Sequence, residues 1–244
     1  MIKGLKKLCD KFLQSLTEVP RNKRKLHFLL TSYLKQYYNR VFVDYEVPLN
    51  LLAKNDVDIP EKHGDEWTTP ESYPWHENAC PDIVVEKDSH YAVISLSYIV
   101  ESAYRCPKVF GNEIDNTENN ISTSSVMYDF WKNVHKIETI TDISGVVCGL
   151  VILLTNEEKL WAPQKSSNEI GNIFSICEGA TVEPGILGNN ENLDDRQPDF
   201  TIDDKYKCHW KDTKILDGDQ YTSLYWFRYI AMPVRQYFDR LLAK

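Results

Sequence analysis

Hydrophobic and polar residues alternate along the chain with two different periods, which separate helices from strands. Apolar residues recur every three or four positions over 2–16 and again over 25–38, with lysines between them, a pattern that predicts two amphipathic helices. Pro20 ends the first helix, because proline lacks the N–H that a continuing helix needs. A third helical pattern covers 124–140. We expect the first two helices to pack together against the core.

Strand patterns follow, in segments rich in β-branched and aromatic residues: 40–48, 81–86, 91–100, 145–155 and 224–234. The short polar link at 87–90 predicts an antiparallel hairpin between the second and third of these strands. The segment 145–155 is apolar almost throughout, which predicts a central strand covered by helices on both faces. Shorter strands are predicted around 198–203 and 206–210, and a closing helix over 234–243.

These elements predict an α/β fold in which a mixed central β-sheet is flanked by α-helices. The sequence shows no internal repeat and no domain boundary. We therefore expect residues 1–244 to form a single domain, with 1–39 as a basic helical segment packed on it. The segments 49–79 and 111–125 lack core periodicity and are predicted to be loops.

Charge is distributed unevenly along the chain. The net charge is -8, yet residues 1–40 carry ten Lys or Arg and two acids. This basic segment is either a solvated helical face or a phosphate-binding surface, and the acidic remainder argues against broad nonspecific DNA affinity. No apolar run reaches the roughly 20 residues of a membrane span, and no apolar leader is visible, so we expect a cytoplasmic protein without a membrane partner.

Polar residues at fixed places on three strands suggest a converging site. Glu46 lies on the first strand, Pro81 and Asp82 open the second, and Ser95 and Ser97 lie on the third. This order resembles the PD-(D/E)XK nuclease superfamily, whose third strand normally carries an acid, one spacer residue and a lysine within an apolar frame. The frame is present here as Ile-Ser-Leu-Ser-Tyr, so two serines stand where the acid and the lysine are expected.

The resemblance continues into later segments. The helical stretch 128–133, the strand end 153–156 and Trp161 look like one uncharacterised branch of the same superfamily. Coverage runs from about residue 25 to the end, and the specific features lie within 41–161. The resemblance implies a nuclease-like α/β domain with the restriction-endonuclease-like fold.

The resemblance also implies a relic site, formed by Glu46, Asp82, Ser95 and Ser97. Phosphodiester hydrolysis with Mg²⁺ needs anionic oxygens to hold the metal and a cation to stabilise the transition state. Serine hydroxyls supply neither, and loss of the lysine alone costs roughly 100-fold in rate. We expect no cofactor; Glu46 and Asp82 would be metal ligands only if Mg²⁺ or Mn²⁺ binds.

Three functions stay open at this stage. The first is a catalytically inactive nuclease-like module that binds nucleic acid through the basic amino-terminal helices, or binds a protein partner. The second is an active metal-dependent nuclease whose missing groups have migrated. Glu101 and Lys132 are the candidates for it, although Glu101 lies about 20 Å along the strand from Ser95 and Lys132 is predicted to face solvent. The third is a purely protein-interacting structural or immunity-type protein.

Other chemistry lacks support in the sequence. The six histidines have no mutual spacing typical of a zinc site and are predicted to be surface or capping residues, and no dinucleotide-binding, P-loop or hydrolase-elbow motif occurs. The six scattered cysteines are predicted to be reduced. The aromatic run 225–229 must present one of its two faces to a helix, a partner or a ligand.

Overall fold

A computed structural model of the chain describes residues 4–44, 62–63, 66–67, 80–100, 122–162, 173–188, 199–217 and 225–235. Its helices are α1 (Leu5–Ser15), α2 (Lys23–Leu34), α3 (Thr123–Thr141) and α4 (Glu158–Trp161). Its strands are β1 (Arg40–Val43), β2 (Lys62–His63), β3 (Glu66–Trp67), β4 (Ile83–Lys87), β5 (His90–Ile99), β6 (Val146–Thr155), β7 (Thr181–Val182), β8 (Gly185–Leu187), β9 (Phe200–Ile202), β10 (Tyr206–Lys207), β11 (Trp210–Asp217) and β12 (Tyr225–Val234).

Six of these strands form one mixed sheet in the order β1-β4-β5-β6-β12-β11. The hairpin partners β4 and β5 run antiparallel, with Ile83 opposite Ile94. β5 and β6 run parallel, with Ser95 opposite Val151, and α3 provides the crossover that a parallel pair requires. The predicted α/β class and the mixed central sheet are therefore confirmed.

Side chains alternate along the strands, so the sheet presents apolar residues on both of its faces. Helices cover each face. One face packs on α1 and α2, through a cluster that includes Leu13, Leu30, Leu96, Ile152 and Leu154. The other face packs on α3, through a cluster that includes Val93, Trp131, Val134, Val151 and Leu153. β6 thus lies inside the sheet and contributes to both layers, as its unbroken apolar sequence predicts.

Close packing of α3 on the sheet depends on Gly149 of β6. A Cβ at this position would lie 2.0 Å from Cγ2 of Ile137, far inside van der Waals contact. Only glycine therefore lets the helix approach the strand this closely.

The structure agrees with most predicted elements and differs at several. Three of the four predicted helices correspond to α1, α2 and α3 with shifts of a few residues at their ends. The strand predicted over 40–48 is described only as Arg40–Val43, and the predicted loop 49–79 contains β2 and β3. Val234, predicted to start the closing helix, belongs to β12, and the rest of that segment from 236 onward lies outside the described residues. Among the described residues, no helix is long and apolar enough to cross a membrane.

The predictions made for the cysteines and for the histidines have different outcomes. The cysteines that the structure describes are free thiols, as predicted. The histidine prediction was wrong for His27, whose side chain is buried on the inner face of α2, and holds only in part for His135, which is half-buried with its ring stacked on Phe200 at 5.7 Å between ring centroids. Both positions fall on the inner faces of their helices, and packing there outweighs the polarity of imidazole.

Candidate functional site

Asp82 lies immediately before β4, beside the middle of β5. Its Oδ2 atom accepts a 2.6 Å hydrogen bond from the backbone N–H of Leu96 and a weaker one, at 3.5 Å, from the hydroxyl of Ser95. The pairing of Ile83 with Ile94 sets this position, because it brings the start of β4 next to the second half of β5. The structure thus joins two members of the relic site, Asp82 and Ser95.

The other oxygen of Asp82 is paired with an ammonium group. Lys23, the first residue of α2, places Nζ 2.6 Å from Asp82 Oδ1, and its side chain remains half exposed. Asn22 caps this helix end by accepting the N–H of Lys25 at 2.9 Å. Both oxygens of the carboxylate are therefore engaged, one by backbone and hydroxyl donors and one by a cation.

Lys136 of α3 brings further positive charge to this carboxylate, and Lys132 lies one helical turn before it. Burial lowers the pKa of Lys136, and the charges of Lys23 and Lys132 lower it further while Asp82 opposes them. Lys132, expected to face solvent, is half-buried and therefore faces solvent only in part. The described part of the site thus places Lys23 and Lys136 beside Asp82, while Lys132 interacts with both Lys136 and Asp129.

Lys136 was not predicted as a site residue, although the sequence contains a signal for it. It follows Lys132 by four residues, which places both on one side of α3. That side meets the sheet face onto which Ser95 and Ser97 project, since Ser95 alternates with the oppositely directed Leu96. Ser97 lies half-buried on β5, opposite Leu153.

Glu46 and Glu101 lie outside the described residues. The rest of the relic site does not fit a divalent cation: Asp82 is already paired with an ammonium group, and Ser95 and Ser97 offer neutral hydroxyls. Within the described ranges, no three His, Cys, Asp or Glu side chains are grouped so that they could hold a metal ion.

A second polar cluster surrounds Glu138 on α3, a residue outside the pattern that the sequence suggested. Its carboxylate is only 1% exposed and accepts the N–H groups of Asp203 and Asp204 at 3.1 to 3.2 Å. Tyr206 adds its hydroxyl at 2.7 Å. Burial outweighs these donors and raises the pKa of Glu138 to about 7. The position follows Trp131 and Val134 on the inner face of α3, which is the signal that could have indicated it.

Arg235 joins this cluster to the end of the sheet. Its guanidinium forms ion pairs with Asp142 and Asp203 and donates to the backbone carbonyl of Glu138 at 3.3 Å. A cavity of about 1050 Å³ opens beside it, lined also by Lys205, Lys207 and Lys211. Lys205 is paired with Glu183, and Lys211 is paired with Asp10. Because these charges already have partners, the cluster mainly ties loops to α3 and to the sheet.

Comparison with known proteins adds no relative. No family model matches the chain, and neither a curated protein nor a solved structure does so. The function of this protein must therefore be argued from its own residues.

Proposed function

We propose that the chain is a catalytically inactive PD-(D/E)XK nuclease-like protein, of restriction-endonuclease-like fold, that binds nucleic acid at its relic site. The order from β1 through β4, β5 and α3 to β6 supports the fold, because it matches the strand and helix order on which the sequence resemblance rests. The nearness of Asp82 to Ser95 supports the site, because the resemblance assigns both residues to it.

The proposal rests on the charge around Asp82, which is positive where a metal-dependent nuclease has a cluster of negative charge. In a metal-dependent nuclease, carboxylates hold a cation and the cation meets the phosphate. Here Lys23 already neutralises Asp82 and Lys132 also interacts with Asp129, so Lys136 leaves a surplus of positive charge. At an effective dielectric constant of 20, two opposite charges 4 Å apart attract by about 4 kcal/mol. These lysines can therefore meet a phosphate without a metal ion.

The exposed start of α2 extends this positive surface. Lys23, Arg24 and Lys25 are consecutive and exposed, and the unpaired N–H groups of a helix amino terminus favour an anion. Such a surface binds phosphates of any sequence and releases counterions when it does so. We expect salt-sensitive binding without cleavage.

The experiment measures binding and cleavage on the same oligonucleotides. The purified full chain is incubated with labelled single- and double-stranded DNA and RNA in Mg²⁺ or Mn²⁺, and we expect anisotropy to report binding while gels show intact substrate. Metal-dependent cleavage that Asp82→Ala abolishes would refute the proposal. Absence of binding to every nucleic acid at low salt would also refute it and would favour a protein partner.

One substitution separates phosphate binding from metal binding. Asp82→Asn keeps an acceptor for the Leu96 N–H but removes the negative charge beside the lysines. We expect roughly 3- to 10-fold tighter nucleic-acid binding, in line with the modest energy of a partly exposed ion pair. Lys136→Gln should weaken binding, whereas Lys159→Gln on α4 serves as a matched control.

A second candidate function is an active nuclease, and the position of Lys136 favours it. An ammonium group from α3 could replace the one missing at Ser97, with Glu46 and Asp82 as the ligands of Mg²⁺ or Mn²⁺. Calorimetric titration of the whole chain with Mn²⁺ distinguishes the two functions. Binding that is lost in both Glu46→Gln and Asp82→Asn, together with cleavage that is lost in Lys136→Gln, would establish the nuclease.

A further inference from the structure

Phe28 on α2 is the most exposed aromatic side chain among those described, with 63% of its surface open to solvent. The apolar face of the same helix is already buried, since Leu26, Leu30 and Leu34 pack completely in the core. Phe28 therefore points away from the fold and contributes nothing to the core. An exposed ring of this size, outside an apolar patch, is suited to contact with a flat ligand.

Two cationic side chains lie near this ring. Lys25 places Nζ 5.5 Å from the ring centroid of Phe28, and Arg24 lies one helical turn before it on the same side. Helix α2 carries no acidic residue, in a protein whose net charge is -8. The charge around Phe28 is thus complementary to a polyanion.

A membrane surface is a poorer fit than a nucleic acid. A helix that lies in a lipid interface buries a broad apolar face, whereas the apolar face of α2 is occupied by the protein core. A single ring flanked by cations is typical of a platform on which a nucleobase stacks while neighbouring phosphates meet Lys or Arg.

The spacing along α2 connects this ring to the phosphate site. Arg24 and Lys25 lie four and three residues before Phe28, about 6 and 4.5 Å along the helix axis at roughly 1.5 Å per residue, and on the same side of the helix. A phosphate on Arg24 or Lys25 and a base on Phe28 would therefore belong to the same or adjacent nucleotides. In a duplex the base faces are covered by neighbouring pairs, so only an unpaired base can reach the ring.

We propose that Phe28 is a stacking platform for an unpaired base and that the preferred ligand of this protein is single-stranded nucleic acid. The inference rests on the proposed function and deepens it by naming the substrate class. Lys23, Arg24 and Lys25 hold the phosphates, and Phe28 distinguishes single strands from duplexes.

Fluorescence anisotropy with matched single-stranded DNA, single-stranded RNA and double-stranded DNA tests the proposal. Because stacking on an aromatic side chain contributes about 1 to 3 kcal/mol per base, Phe28→Ala should weaken single-strand binding by roughly 5- to 100-fold and leave duplex binding almost unchanged. Phe28→Trp should retain the affinity, and its indole fluorescence should be quenched on binding. Ile186→Ala is the control, because Ile186 is 73% exposed on another element.

The two proposals fail in different ways. If neutralising Lys23, Arg24 and Lys25 weakens binding while Phe28→Ala does not, the stacking platform is wrong and the phosphate site stands. If no oligonucleotide binds at low salt, both are wrong. Binding to vesicles of anionic phospholipid that depends on Phe28, without a Phe28 effect on single strands, would assign the ring to a membrane surface. Circular dichroism of each variant verifies the fold.

Discussion

The hydroxyl of Tyr206 donates a 2.7 Å hydrogen bond to Oε1 of Glu138, a residue 68 positions earlier in the chain. This bond ties β10 to the carboxyl-terminal part of α3. Because Glu138 is buried and also accepts two backbone N–H groups, it fixes the segment between β9 and β10 against the helix.

Tyr206→Phe should destabilise the protein by about 1 to 3 kcal/mol, since it removes one donor from a buried carboxylate and leaves the ring in place. Urea denaturation gives the free energy of unfolding. Tyr37→Phe is a suitable control, because the Tyr37 hydroxyl is exposed and reaches Tyr33 only at 3.5 Å. Equal effects of the two changes would contradict a special role for the Glu138 cluster.

Glu138 should make the folded state more stable as the pH falls from above 7 to about 4.5. Burial raises the pKa of its carboxyl from 4.5 to about 7 in the folded state, so the folded protein binds a proton that the unfolded chain does not. A shift of this size corresponds to about 3 kcal/mol. Glu138→Gln should remove this rise when unfolding is measured at pH 5 and pH 8; an unchanged rise would show that Glu138 is ionised throughout.

His135 should have the opposite effect on the pH dependence. Burial lowers the pKa of its imidazole from 6.5 to about 4, so the unfolded chain takes up a proton before the folded protein does. Stability is then lost as the pH falls from 6.5 towards 4. In His135→Gln this loss should be smaller, as measured by urea midpoints at pH 4.5 and 6.5. His90→Gln, at the exposed start of β5, provides the comparison.

Gly149→Ala should destabilise the protein strongly, by about 1 to 3 kcal/mol, because the added methyl group would overlap Ile137 Cγ2. Ile137→Ala alone leaves a cavity and should cost about 2 to 5 kcal/mol. The double variant should cost less than the sum of the two, since the new methyl group enters the space that Ile137 vacates. Strict additivity in denaturation experiments would contradict this contact between α3 and β6.

Local periodicity was sufficient to predict the elements of the sheet, because burial imposes a repeat of two on strands and nearly four on helices. The helix over 124–140 and the strand over 145–155 agree with α3 and β6 to within one or two residues. The order of the strands in the sheet could not be predicted in this way. The insertion of β12 between β6 and β11 depends on contacts between distant segments, and no local pattern encodes it.

The site was predictable in part for the same reason. Asp82 and Ser95 belong to adjacent strands of a hairpin, so a short link suffices to place them together. Lys23 and Lys136 come from helices whose orientation against the sheet is a tertiary property. Their role at Asp82 could therefore not be inferred from strand motifs alone.

The position of β12 has a consequence for how the chain acquires its structure. Leu154 of β6 pairs with Tyr229 of β12. This edge of β6 therefore stays unpaired during translation until the ribosome has released a much later segment. In the meantime the nascent polypeptide carries an open edge of consecutive Val, Ile and Leu residues, which favours self-association. Chaperone capture during translation, and a slow final step in refolding, are the expected cost of this topology.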